Sequence, residues 1–132
     1  MSYTTKTSVE GDFDDVVATT ESALEEEGFG ILSDIDMGGT LEEKLDVDFR
    51  RYRILGACNP PFAYDAVTEE IDIGALLPCN VIVYEGSDDE VVVAAADARA
   101  LLDLTGNSAL DDIAADIYER LDRALDTIPE SV

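Results

Sequence analysis

Histidine is absent from this 132-residue chain, and cysteine occurs only twice. The first absence excludes Ser-His-Asp and Cys-His catalytic pairs. It leaves two thiols, Cys58 and Cys79, as the only side chains able to act as a nucleophile or soft ligand near neutral pH without an extreme pKa shift. A structural zinc site wants four ligands, and one chain supplies two thiolates and no imidazole, so neither a metal nor another cofactor is expected. Basic residues are also scarce, eight against 31 acidic ones, for a formal net charge of −23. DNA, RNA and anionic membrane faces demand a basic footprint, so none of them is expected as a partner. No apolar run approaches the ~18 residues of a membrane span, and Met1-Ser2-Tyr3-Thr4-Thr5-Lys6 lacks the apolar core of a signal peptide. The expected location is the cytoplasm, where two cysteines are more often free thiols than a stable bridge. Repeats, low-complexity stretches and linkers are missing as well, so residues 1–132 read as a single domain.

What is present is a folded, densely anionic protein. The hydrophobic content of 46% is ordinary, and regular apolar periodicity runs through nearly the whole chain, so the acid decorates a folded surface instead of marking disorder. Such self-repulsion is relieved where ions screen it within a Debye length of about 3 Å at 1 M salt. Arginine outnumbers lysine six to two and aspartate outnumbers glutamate, a balance that resembles the surfaces of extreme halophiles.

Tyr3 to Val9 alternates threonines with bulky residues and predicts a first strand. Asp12 can cap a helix whose apolar positions are Phe13, Val16, Val17, Thr20 and Leu24, ended by Gly28. Phe29 to Met37 alternates as a second strand, with Phe29, Ile31, Ser33, Ile35 and Met37 on a face expected to be buried. Thr40-Leu41-Glu42-Glu43 has capping-box spacing, predicting a short helix over Leu41 to Leu45. Arg50 to Cys58 reads as a third strand, and Pro60-Pro61 opens another short helix. Cys79 to Tyr84 and Glu90 to Ala95, joined by Gly86-Ser87-Asp88-Asp89, predict an antiparallel hairpin. A short helix over Asp97 to Leu104 precedes a long one from about Ser108, with an apolar stripe from Leu110 to Ile128. The pattern favours α+β over a doubly wound sheet.

Two motifs stand out: Gly56-Ala57-Cys58-Asn59-Pro60-Pro61 and Leu76-Leu77-Pro78-Cys79-Asn80. Taken with Gly28-Phe29-Gly30-Ile31-Leu32-Ser33-Asp34-Ile35-Asp36 and the run Val81-Ile82-Val83-Tyr84, their order and spacing resemble the domain of unknown function family 302, most strongly from Gly28 to Asp97. The resemblance implies a curved antiparallel sheet backed by a long C-terminal helix, a TBP-like β-α-β-β-β-β-α arrangement with short extra helices. It also implies frequent assembly as a homodimer, and no established activity.

The candidate site is therefore the pair of cysteine motifs. Cys58 and Cys79 are the candidate catalytic thiols, and Cys58, Asn59, Cys79, Asn80, Arg51 and Arg53 are candidate ligand-binding residues for a small molecule. Each cysteine lies where a strand meets a proline-directed bend, which exposes backbone amides and leaves room for a ligand. Both thiols are placed to face one core, where free cysteine behaves as a small hydrophobe. A disulfide would need Cα atoms about 4.4 to 6.8 Å apart. The two asparagines can equally close their bends by bonding local backbone. Arg50, Arg51 and Arg53 either neutralise nearby acids or form an anion site, with Arg51 and Arg53 on one strand face. The run from Asp34 is no EF-hand, because Leu45 stands where the twelfth-position glutamate belongs. Gly28-Phe29-Gly30 lacks the third glycine of a dinucleotide fingerprint. Two functions follow: a non-catalytic module binding a ligand or partner near the cysteine motifs, or a thiol-dependent redox or sulfur-carrying protein.

Overall fold

Capping groups and left-handed residues set the element boundaries in the computed structural model, which describes residues 2–132. Strand β1 (Thr4–Glu10) leads to helix α1 (Phe13–Glu26), where the Asp12 carboxylate accepts from the Asp15 amide. Gly28 ends that helix at φ +90°, a conformation only glycine adopts without strain. Then come β2 (Gly30–Asp36), α2 (Met37–Leu45), β3 (Tyr52–Cys58) and α3 (Pro60–Glu69), and a 3-10 stretch (Ile71–Leu76) follows. The hairpin of β4 (Cys79–Glu85) and β5 (Glu90–Ala96) precedes α4 (Ala98–Asp103), a 3-10 turn (Ser108–Leu110) and α5 (Asp111–Ser131). Apart from the short helices, this α+β chain has the β-α-β-β-β-β-α order that the resemblance implies.

The strands form one antiparallel sheet in the order β1-β5-β4-β3-β2. Helices α1 and α5 pack on each other and on β1, β4 and β5. Their apolar stripes, including Val16, Leu24, Leu121, Leu125 and Ile128, meet Leu55, Val81, Val83, Val93 and Ala95 of the sheet in the main core. Near the start of α5, Ala66, Ile73, Leu102, Leu110 and Ala114 join α3, the first 3-10 stretch and α4 in a satellite core.

Two expectations from the sequence are corrected. The second strand has no buried face: Phe29 is buried just before it, but within β2 only Ile31 is even half-buried and Ile35 is 44% exposed. The register shifts between Ile31 and Ser33, so Leu32 is an extra residue, 67% exposed, on an edge strand. A bulge of this kind breaks the two-residue period on which the alternation depended. The other correction concerns α2, which is capped by Asp36 accepting from the Gly39 amide and not by Thr40, which lies inside the helix. Gly38 stands where α2 touches the lead-in to β3, and a Cβ there would meet the Arg50 carbonyl oxygen at 2.6 Å. A close backbone contact, not a helix break, is what the glycine serves.

Because α1 and α5 cover only one side, the opposite side of the sheet lies open across its centre. Register defines its rows. Lys6, Ala94, Ile82, Ile54 and Ile35 are successive partners across all five strands. Ser8, Val92, Tyr84 and Tyr52 form the next row. Among these, Ile54, Ile82, Tyr52, Tyr84 and Val92 are half-buried by their neighbours alone, and Ala94 fully so. The Tyr52 and Tyr84 rings stack at 5.6 Å, and Phe49 tilts against Tyr52 at 6.3 Å.

Candidate functional site

The two cysteine motifs meet because β3 and β4 are antiparallel: Ala57 pairs with Cys79 and Gly56 with Asn80. Cys79 begins β4 on the inward face shared with Val81 and Val83, and is 5% exposed. Cys58 ends β3, one residue beyond the partner of Cys79, and is half-buried. Both are free thiols. Only Cys79 belongs to the main core. Burial, with a smaller contribution from the neighbouring Cys58, pushes the Cys79 thiol from 9.0 up to about 11. That thiol is therefore protonated across the physiological range.

Cys58, Asn59 and Cys79 line one small cavity with Phe29, Phe62 and Ile117. Its volume of about 30 Å³ is room for one water, against the roughly 300 to 1,000 Å³ of ligand pockets. Asn59 is 8% exposed and precedes α3 without capping it. Its Nδ2 donates instead, at 3.4 Å, to the Glu27 carbonyl at the end of α1, which also accepts from the Arg120 guanidinium at 3.1 Å. Arg123 clasps the Glu27 carboxylate through two nitrogens. Cations at a helix C-terminus complement its dipole, so this cluster fastens α1 to α5. Asn59 thus bonds a carbonyl distant in sequence, and not the local backbone of its own bend as the sequence suggested.

The remaining candidates lie apart from the cavity. Asn80 is exposed and next to Gly56 on the open face. Arg51 and Arg53 are at the opposite end of β3, about 17 Å from Cys58 at ~3.3 Å per residue from Arg53. Arg51 precedes the strand, lies 4.3 Å from the Phe13 ring centre and pairs with Asp14 at 2.6 Å. Arg53 grips the Asp34 carboxylate through Nε and a terminal nitrogen. Both are engaged by acids of their own chain, as self-neutralisation requires. Among the described residues, no three carboxylate, thiol or imidazole groups converge as a metal site, and no helix is long and apolar enough to cross a membrane.

The feature that sequence reasoning missed is the open sheet face. It holds a groove of about 410 Å³ walled by Tyr3, Lys6, Tyr52 and Tyr84 over a floor of Ile82 and Ala94. Among the described residues of the five strands, register places on it only the carboxylates Glu10 and Glu90, which pair with each other at one end of β1 and β5. An apolar field on a chain with 31 acidic residues is where water is displaced most readily. The signal was present in β4 and β5, whose outward positions Ile82, Tyr84, Val92 and Ala94 are as apolar as the inward ones.

No functionally curated protein matches the chain. A crystal structure described as an uncharacterized conserved protein DUF302 from Bacillus stearothermophilus is similar, with a TM-score of 0.89 and 30% identity over 96% of this chain and 98% of that one. The profile of the domain of unknown function DUF302 matches residues 4–128. With sequence profile and fold in agreement over almost its full length, this chain belongs to the DUF302 family.

Proposed function

We propose that this chain is a non-catalytic binding module of a salt-rich cytoplasm, working as a homodimer, and that recognition takes place on the open sheet face. The motif residue Asn80 stands at one end of that face, so the site borders the cysteine motifs. The observation that carries this reading is the row Ala94, Ile82, Ile54, Ile35, left without a helix on a chain of net charge −23. The protonated Cys79 thiol and the one-water cavity argue against substrate turnover at the cysteines. The thiol-dependent alternative draws support from one fact, that Cys58 and Cys79 line the same cavity.

Capture from an extract of the producing cells, on immobilised protein in molar salt, separates the two. With bound species identified by mass spectrometry, further copies of the chain included, Ile54→Glu is expected to lose the bound species. The double variant Cys58→Ala, Cys79→Ala is expected to keep them. The reverse pattern transfers the function to the thiols.

A further inference from the structure

The groove on the open face differs in charge from the rest of the molecule. On a chain of net charge −23, Lys6 is the one charged side chain that lines it. Lys6 is exposed, and among the described residues its ammonium has no ion-pair partner, whereas Arg51, Arg53, Arg99 and Arg123 are each held by a carboxylate. The carboxylate of its own strand, Glu10, lies at the far end, about 13 Å away at ~3.3 Å per residue. Strand β5 sets the shape of the groove. Its outward residues Ala94 and Ala96 are small: Ala94 lies between Lys6 and Ile82 in one row, and Ala96 beside Thr4 in the next. The result is a shallow trough, with Tyr3, 71% exposed, and Tyr84 in its walls. The Tyr84 ring is already engaged by Tyr52, stacked at 5.6 Å, and by the Arg50 guanidinium at 5.9 Å, so it presents its edge to the trough.

We propose that this trough binds a small planar aromatic monocarboxylate, with the acid group on Lys6 and the ring system lying over Ala94 and Ile82 between Tyr3 and Tyr84. The proposal names the ligand of the face assigned to binding above and rests on that reading. Reach agrees, because two strand spacings of ~4.8 Å separate Lys6 from Ile82, the length of a two-ring aromatic acid. Aromatic edges are partially positive and faces partially negative, so a flat ring that meets the Tyr84 edge gains a T-shaped contact. A lone ammonium balances one negative charge. A phosphate dianion would need further donors against the field of so acidic a chain, and a cationic ligand is repelled by Lys6 itself. A flexible aliphatic acid would lose rotamer freedom on lying down in the trough, a cost that a rigid ring avoids.

Affinity and selectivity come from different parts of the site. An exposed ion pair contributes little, so apolar contact supplies most of the affinity, and Lys6 decides which sign of charge is accepted. At molar salt the Debye length is about 3 Å. Direct contact between Lys6 and a carboxylate survives such screening, while repulsion from the distant acids does not. The volume of about 410 Å³ is at the lower end of the roughly 300 to 1,000 Å³ of ligand pockets, which suits two fused rings better than a larger cofactor.

Titration of the isotope-labelled full chain with naphthoate in molar potassium chloride, followed by amide chemical shifts, tests this. Saturable shifts centred on Lys6, Ile82 and Ala94 are expected, with a Kd of about 1 mM or tighter. Octanoate, naphthyl phosphate and naphthylmethylammonium should each bind several-fold more weakly. Tyr3 and Lys6 are both exposed, so their variants keep the fold. Tyr3→Ala should raise the naphthoate Kd about threefold or more. Lys6→Glu should raise it about fivefold and turn the preference toward the ammonium compound. No saturable shift up to about 10 mM naphthoate, shifts centred away from the trough, or a comparator that binds as tightly overturns the proposal. Silence toward naphthoate beside a capture that Ile54→Glu still abolishes would remove the aromatic acid and leave the binding reading standing. Silence beside a capture indifferent to Ile54→Glu would remove both.

Discussion

Raising the pH from 8 to 11 should weaken this protein through one group whose contribution can be calculated. Cys79 is buried in the main core, and its thiol is pushed from 9.0 to about 11. The folded state thus holds its proton more tightly than the unfolded chain. Below pH 9 both states are protonated, and the thiol adds no pH dependence. Above pH 9 the unfolded chain ionises first, and stability falls until the folded pKa is passed. A rise from 9.0 to about 11 corresponds to a limiting loss of about 2.7 kcal/mol, with about 1.4 kcal/mol of it gone at pH 10 and about 2.3 at pH 11. The assay is guanidinium unfolding in molar salt at four pH values, for the natural chain and for Cys79→Ala. Truncation lowers stability by a constant amount, so only the difference in slope matters, and tyrosine ionisation cancels. The natural chain should lose those amounts beyond what the variant loses. Parallel curves would refute the burial argument, because they would mean that Cys79 ionises in the folded protein as easily as in the unfolded one. Alkylation gives an independent reading, since at pH 8 the folded Cys79 thiolate fraction is about a hundredfold below that of an unfolded thiol.

Two substitutions test the packing around the site. Leu55, fully buried on the inward face of β3, should cost about 2 to 5 kcal/mol on truncation to alanine, read as a lowered denaturation midpoint at unchanged slope. A cost below 1 kcal/mol would mean the strand faces are misassigned. Asn59→Ala removes a long hydrogen bond to a carbonyl that Arg120 still satisfies, so its cost should stay below about 1 kcal/mol. A larger loss in thermal denaturation would show that Asn59 does more than tie α1 to α3.

Much of this fold is legible in the sequence because its signals are local. Asp12 before an apolar helical stripe, Pro60 at a helix start and the Gly86–Asp89 turn each act within a few residues of themselves, and each element forms where it was expected. The second strand was misjudged where a non-local fact intervened: its partner β3 accepts Leu32 as an extra residue, and no short window records a register shift. Likewise Gly38 resembles a helix breaker until the approach of the Arg50 carbonyl is known. At the site, adjacency of the two cysteine motifs follows from β3–β4 pairing, which their separation in sequence does not announce. The open face was hidden for another reason. A strand apolar on both sides, such as Val81-Ile82-Val83-Tyr84, normally signals burial on both sides, and only the placement of α1 and α5 shows that one side is bare.

The strand order has a consequence for how the chain is made. Strands β2 to β5 each pair with the next in sequence, so they can assemble as they leave the ribosome. β1 alone waits for the last strand, since Glu10 pairs with Glu90 and Thr4 with Ala96. At roughly 5 to 20 residues per second, an intervening stretch of about 80 residues takes on the order of 4 to 16 s to synthesise. An orphan strand is an aggregation hazard for as long as it waits. This one reads Thr-Thr-Lys-Thr-Ser-Val-Glu, with a single aliphatic side chain. The far more apolar β4 and β5 never wait, because a hairpin joins them at once. Hydrophobicity in the sheet is thus distributed by time of synthesis as well as by depth, with the most soluble strand first off the ribosome and last into place.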